Sequence, residues 1–179
     1  MKRGVTLVEL IITIVIVGVL SLGVGWYFSK SIDIWNLLSF RTEILNQVRL
    51  GVVRMGRDIR QVKKSTFEEE TIEEATSTSF QFLEITYEGD KRIRYRYDEA
   101  AKNLFREEDL NMDEDFQDTN ESQLLLTGVE NFQFTYLDRE GNSTSVLGEI
   151  YRIKINLEVK KDEESVRINY EVFPRNFKY

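Results

Sequence analysis

The sequence contains no cysteine and no histidine, and its 179 residues include a single proline. Without cysteine, the chain can form no disulfide, thiol nucleophile or thiolate metal site. Without histidine, it lacks the usual general base, the Ser-His-Asp arrangement and imidazole ligands for zinc. A hydrolase built on carboxylates is the remaining catalytic hypothesis, but no paired-carboxylate pattern supports it. The composition therefore favours a structural or binding protein over an enzyme, and we expect neither a cofactor nor a metal site.

Basic residues are outnumbered, with 24 Lys and Arg against 31 Asp and Glu, for a formal net charge of −7. This balance disfavours nucleic acid as the main partner, because phosphate binding depends on basic patches. An acidic domain is more consistent with solubility outside a membrane, or with a basic protein partner.

An apolar run from residue 5 to about residue 28 follows two basic residues, Lys2 and Arg3. As a helix this run would rise ~36 Å, enough to cross a hydrocarbon core of ~30 Å. In lipid the backbone must satisfy its own polar groups, so a single span has to be helical. The basic residues predict a single pass through the cytoplasmic (inner) membrane, with the N-terminus inside and the remainder extracytoplasmic.

Glu9 is the anomalous residue of this run, because a carboxylate costs ~2.5–3.5 kcal/mol at the centre of a membrane helix and less near its end. Cleavage after Gly4 would free the α-amino group of Val5, four residues before Glu9 and on the same helix face. The carboxylate would then have a cation nearby, from its own chain or from a neighbouring copy. The alternative is an ordinary signal peptide or anchor, but the apolar region of a signal peptide usually has only ~7–15 residues.

Residues 4–10, Gly-Val-Thr-Leu-Val-Glu-Leu, resemble the processing site of type IV pilins and of the pseudopilins of type II secretion systems. The resemblance implies that a prepilin peptidase cleaves between Gly4 and Val5 and methylates Val5. It also implies that Glu9 is used in filament assembly. The sequence departs from the family pattern at two positions: Val5 replaces the usual phenylalanine, and Trp26 replaces a common proline. Because that proline is missing, the resemblance does not predict whether the helix is kinked there.

An amphipathic pattern follows the apolar run. Its apolar residues recur at steps of three and four, and they are Leu45, Val48, Val52, Met55, Ile59 and Val62. We predict one helix over 5–64, with a membrane half at 5–28 and an amphipathic half at 29–64 whose stripe packs on the protein's own sheet or on a partner helix. Gly51 and Gly56 lower helix propensity by ~1 kcal/mol each relative to alanine, and could instead admit a sheet close to the helix.

The remainder, 65–179, has the two-residue period of half-buried strands. The predicted strands cover 80–87, 92–97, 103–106, 124–126, 131–137, 151–159 and 166–172. Acidic stretches near 68–74 and 107–121 are predicted to be solvated loops, and Pro174 can end the last strand. We predict an α+β, pilin-like fold, with the long helix packed on an antiparallel β head of one sheet or two.

Arg92, Arg94 and Arg96 alternate with apolar residues on one predicted strand. They could form a binding patch, but acidic loops on both sides favour a solvated sheet face.

The acidic loop 107–121 contains part of a calcium-binding pattern. Asp109, Asn111 and Asp113 have the spacing of an EF-hand loop. Glu114 stands where that loop needs glycine, and Asn120 where it needs a bidentate glutamate. The EF-hand hypothesis therefore fails, and an irregular calcium loop stays open.

Three looser motifs, at 55–61, 128–136 and 172–176, resemble J-type minor pseudopilins and the related W-type minor pilins. The resemblance implies a minor subunit that primes or caps a filament, with I- and K-type minor pseudopilins and a major pseudopilin as partners. Secretion, pilus and DNA-uptake machines are all compatible with it. The alternative is a single-pass, membrane-anchored β-domain that binds a ligand or partner and never enters a filament.

Overall fold

The computed structural model describes residues 6–63, 71–87, 89–161 and 164–175, which form one long helix followed by two antiparallel sheets. The helix α1 covers Leu7–Arg60. The strands are β1 (Ile72–Ala75), β2 (Ser79–Thr86), β3 (Gly89–Asp98), β4 (Asn103–Asp109), β5 (Ser122–Thr127), β6 (Val129–Leu137), β7 (Arg152–Lys161) and β8 (Glu164–Val172), with a short 3-10 helix at Leu147–Glu149 before β7. Two compact units are present, Met1–Glu43 and Ile44–Tyr179, and their boundary falls within α1.

The first unit consists, in its described part, of the N-terminal two-thirds of α1. Among the residues that the structure describes, α1 is the one helix long and apolar enough to cross a membrane. Two hydroxyl groups in its apolar part bond to carbonyl groups of the same helix. The Thr13 hydroxyl donates to the carbonyl of Glu9 at 2.7 Å, and the Ser21 hydroxyl to that of Val17 at 2.7 Å. An apolar environment therefore meets few unsatisfied polar groups on this segment.

The second unit contains both sheets, and every neighbouring strand pair is antiparallel. The larger sheet has the order β1-β2-β3-β4-β5 and the smaller one β6-β7-β8. The predicted α+β class is confirmed, and the head has two sheets. The sheets meet through aromatic rings, since the Phe80 ring on β2 lies 5.8 Å from that of Phe134 and 5.6 Å from that of Tyr136, both on β6.

Two loop predictions are wrong at their edges. Glu73 and Glu74 were expected in a solvated loop, but they lie in β1, which pairs with β2. The predicted acidic loop at 107–121 begins later, because β4 continues to Asp109. Acidic residues can lie within these strands because basic side chains of other strands form ion pairs with them. Glu73 accepts from Arg92 Nε at 2.8 Å, for example.

One face of α1 is buried within the second unit. Its buried apolar residues are Ile44, Val48, Val52, Met55 and Ile59, followed by Val62 just beyond the helix end. Leu45, which the predicted stripe included, is 45% exposed, and Ile44 is buried in its place. At ~100° per residue the buried residues fall within an arc of ~80°, and Leu45 lies beyond its edge.

Glycine brings α1 close to both sheets. A β-carbon at Gly51 would lie 3.1 Å from Leu126 of β5, and one at Gly56 would lie 2.6 Å from Cε1 of Tyr170 on β8. Arg60, one turn after Gly56, donates from Nη2 to the Tyr170 hydroxyl at 2.9 Å. Gly56 therefore makes room for a ring that the helix also binds, as expected for a glycine at a close helix–sheet approach.

We expect Gly56→Ala to lower the melting temperature of the head, although alanine favours the helix by ~1 kcal/mol. The added methyl group must displace the Tyr170 ring and break its bond to Arg60. In a Tyr170→Ala background the same substitution should raise the melting temperature, because only the propensity gain remains. Thermal melts of the four proteins in detergent, followed by the β-sheet dichroism, measure this cycle. Stabilisation by Gly56→Ala in both backgrounds would show that the ring moves aside freely.

Candidate processing and assembly site

Glu9 lies in the first turn of α1 and forms a reciprocal cap with Thr6. The Thr6 backbone N–H donates to Glu9 Oε2 at 2.8 Å, and the Thr6 hydroxyl donates to the same oxygen at 3.0 Å. In return, the Glu9 N–H donates to Thr6 Oγ1 at 3.3 Å. This is a capping box, with threonine at the N-cap and glutamate three residues later. This cap was not predicted, although the Thr-x-x-Glu pattern before an apolar run signals it.

The cap places a carboxylate where a helix favours negative charge, beside its unsatisfied N–H groups and the positive end of its dipole. Glu9 is exposed, so its carboxylate remains accessible to a cation from another chain. Gly4 and Val5, the predicted cleavage residues, lie outside the described residues. The structure thus gives Glu9 a local role in its own helix, which any role in assembly must accommodate.

Asp58, near the end of α1, ties the second unit's helix to the larger sheet. Its Oδ2 accepts from the Tyr95 hydroxyl of β3 at 2.7 Å and from Arg106 Nε of β4 at 2.8 Å. Arg106 also donates from Nη1 to Glu108 at 2.7 Å. Burial and the Asp58 charge raise the pKa of Tyr95, so the phenol remains a donor. This cluster holds the predicted packing stripe against β3 and β4.

Glu84 of β2 lies beside this cluster and is only 5% exposed. Its pKa is raised to about 7, because burial penalises the charged form and Asp58 adds a like charge; Arg106 and Lys91 oppose the rise, while Glu108 adds to it. The folded protein therefore holds this proton more tightly than the unfolded chain does. The stability that results is complete below the unfolded pKa, near 4.5, and is lost as the pH rises through about 7.

The sheet face opposite α1 carries Arg92, Arg94 and Arg96, and the prediction that it is solvated is wrong for Arg92 and only partly right for Arg94 and Arg96, whose side chains are 26% and 39% exposed. Arg92 is 7% exposed and donates to Asp109 at 2.8 Å as well as to Glu73. Glu107 accepts from Arg94 at 2.6 Å and from Arg96 at 3.1 Å. The segment after β4 folds over these arginines, with the Phe116 ring 4.1 Å from the guanidinium carbon of Arg94. The three arginines are therefore engaged by carboxylates and do not form an open binding patch.

The β4–β5 loop (residues 110–121) is held by carboxylates that accept its backbone N–H groups. Asp109 accepts from Met112 at 2.6 Å and from Glu114 at 3.0 Å, and Glu121 accepts from Leu110 and Asp118, both at 3.0 Å. Within the described part of the chain, no three acidic side chains converge where a metal ion could be held. The loop is ordered by internal bonds, and the carboxylates that anchor it are occupied as acceptors.

A family model for the prokaryotic N-terminal methylation motif matches residues 1–25. No curated protein matches the chain significantly. The matched segment includes Gly4, Val5 and Glu9, and it supports a type IV pilin-like or pseudopilin subunit whose leader is processed. Together with the long apolar helix, it also supports a single-pass membrane anchor.

We expect Glu84→Gln to flatten the pH dependence of the head's stability. A carboxyl whose pKa rises from 4.5 to about 7 on folding contributes up to ~3 kcal/mol of stability, which is lost above the raised pKa. The variant should therefore be more stable than wild type at about pH 8, and close to it at about pH 5. Urea unfolding at both pH values measures this, with Glu99→Gln, in the exposed turn after β3, as the matched control. If the free energy of unfolding changed equally with pH in wild type and in Glu84→Gln, the raised pKa would not belong to Glu84.

Proposed function

We propose that the chain is a structural subunit of a type IV pilin-like or type II secretion pseudopilin filament. The observation that carries the proposal is the methylation motif over residues 1–25, directly joined to a helix that can span a membrane. Residues 1–4 would be the cytoplasmic leader and 5–28 the membrane anchor that becomes filament core. Residues 29–64 would continue the helix, and 65–179 would form the exposed head.

In this proposal Glu9 acts twice. Before assembly its carboxylate caps its own helix through Thr6, which limits the number of unsatisfied polar groups at the helix start. In a filament core, away from water, the methylated α-ammonium group of a neighbouring Val5 would need an anion. The exposed Glu9 carboxylate would supply it while still accepting from Thr6, because a carboxylate has about four acceptor sites.

We further propose a minor subunit of the J type, on the three motifs that resemble those proteins. Its partners would be a prepilin peptidase, I- and K-type minor pseudopilins and a major pseudopilin, with which it would prime or cap the filament. This role requires no catalytic residue, in keeping with a sequence that lacks cysteine and histidine.

The first test is the N-terminus. We expect protein extracted from membranes of cells with an active prepilin peptidase to begin at Val5 and to carry one methyl group. Gly4→Val should keep the leader, because the resemblance implies a peptidase that cuts after a glycine. Intact-mass and N-terminal peptide spectrometry decide between these states. A wild-type chain that begins at Met1 in such cells would favour a plain membrane anchor.

The second test separates the two roles of Glu9. Glu9→Gln keeps a capping residue but removes the charge, because glutamine also serves in a capping box. We expect Glu9→Gln and Glu9→Ala to be processed and inserted but to assemble poorly, since breaking a buried ion pair costs ~3–5 kcal/mol. Thr6→Ala, which loses only a cap worth ~1 kcal/mol, should still assemble.

Co-purification of each variant with the other filament subunits, normalised to processed protein, measures assembly. If Glu9→Gln assembles as wild type does and Thr6→Ala does not, the cap is the functional feature and the ion-pair role is wrong.

A further inference from the structure

The second unit carries charges of opposite sign on opposite sides of the larger sheet. Tyr95 of β3 points to α1, where its hydroxyl bonds to Asp58, and the alternate residues Arg92 and Arg94 point to the other side. The β4–β5 loop covers that other side through Phe116. The outward face of α1 and this loop are therefore separated by the sheet, and they cannot contact each other within one copy.

The outward face of α1 in this unit is basic. From residue 44 to the helix end, its only acidic residue is Asp58, which is buried against Arg106. Arg49 and Arg57 are exposed, and among the described residues neither has an ion-pair partner. Leu50 and Val53 lie among these arginines and are 71% and 50% exposed. At ~100° per residue, Arg49, Val53, Arg57 and Arg60 share an arc of ~80°, and we call these residues with Leu50 the basic helix face.

Every charged residue of the β4–β5 loop is acidic, and the chain has no Lys or Arg between Glu107 and Asp138. Asp113, Asp115 and Asp118 are exposed, and within the described part of the chain their bonds come from uncharged amides. The loop's backbone is already ordered by Asp109 and Glu121. A partner that binds this loop would therefore pay little ordering entropy.

We propose that the basic helix face of one copy binds the acidic β4–β5 loop of a second copy. The two surfaces differ and lie on opposite sides of the sheet, so the contact is heterologous, and each bound copy presents the next free surface. Such contacts form open chains or rings, not closed two-fold dimers. The inference rests on the proposed filament role and specifies a contact between heads, which forms where two copies of this chain are neighbours in the membrane or in a filament.

The occupant is a second copy because its charges complement both surfaces at once. Anionic lipid headgroups could also meet the three arginines and two apolar side chains of this face, but a membrane would leave the acidic loop without a partner. Exposed ion pairs are individually weak. We therefore expect an association that is salt-sensitive and that depends on the high local concentration of copies anchored in one membrane.

The absence of cysteine permits a direct test in the full-length chain. Two tagged versions are co-produced, one with Val53→Cys in the basic helix face and the other with Gln117→Cys in the loop. We expect oxidation of the membranes to give a mixed disulfide dimer, and neither version alone to give a dimer. Ser165→Cys, exposed on β8, replaces Gln117→Cys as the control and should give at least fivefold less mixed dimer.

Exchanging charges between the two surfaces tests whether ion pairs cause the contact between copies. Arg57→Asp in the Val53→Cys copy should reduce the mixed dimer several-fold, and Asp115→Arg in the Gln117→Cys copy should restore it. Recovery of the mixed dimer would show that both variants are folded, so unfolding would be excluded as the reason for the reduced yield.

Three results would overturn the proposal: no mixed dimer, dimers of Val53→Cys alone, or a yield that Arg57→Asp and salt leave unchanged. Loss of binding to phosphatidylglycerol vesicles in Arg57→Asp, with the mixed dimer unchanged, would assign the basic helix face to lipid. Normal processing and co-purification with filament subunits, without the mixed dimer, would leave the proposed function intact and reject only this contact.

Discussion

The buried ion pair between Asp58 and Arg106 determines how the helix lies on the larger sheet. An apolar stripe alone tolerates rotation and sliding, because hydrophobic contact is non-directional. A buried carboxylate tolerates neither, since leaving it without its partners would cost several kcal/mol. Asp58 meets both Arg106 and the Tyr95 hydroxyl within hydrogen-bonding distance, from two adjacent strands. One helix position is thereby selected, and that position decides which residues of α1 face solvent.

Because side chains alternate along a strand, the position of the helix also determines which residues of β3 face the opposite side of the sheet. Because Tyr95 faces the helix, its neighbours Arg94 and Arg96 must face the other side, where Glu107 accepts from both. Arg92 on the same side binds Asp109, which in turn holds the start of the β4–β5 loop. The ion pair under the helix and the order of a loop on the far side are therefore linked by the pleat of β3. The division of charge between the two sides follows from the same alternation.

Periodicity predicted the long helix and most strands, because the burial of one face imposes a repeat that a single sequence displays. β1 escaped prediction, since it has four residues and two glutamates, and its stability depends on Arg92, distant in the chain. The Asp58–Arg106 pair spans 48 positions and depends on strand register, so no local pattern reveals it. At the N-terminus the methylation motif was visible in the residues themselves. The capping role of Glu9 could have been found from Thr6, three positions earlier, whereas cleavage and assembly stay predictions.

The acidic β4–β5 loop also bears on how the protein resists proteolysis. Proteases that cut after lysine or arginine find no site between Glu107 and Asp138. The nearest basic residue before the loop, Arg106, is buried in a strand and bound to Asp58. The β4–β5 loop is thus resistant to trypsin-like digestion by composition, before rigidity is considered. A glutamate-specific protease would instead meet Glu114, whose side chain is 80% exposed, so the head's vulnerability depends on which protease shares its compartment.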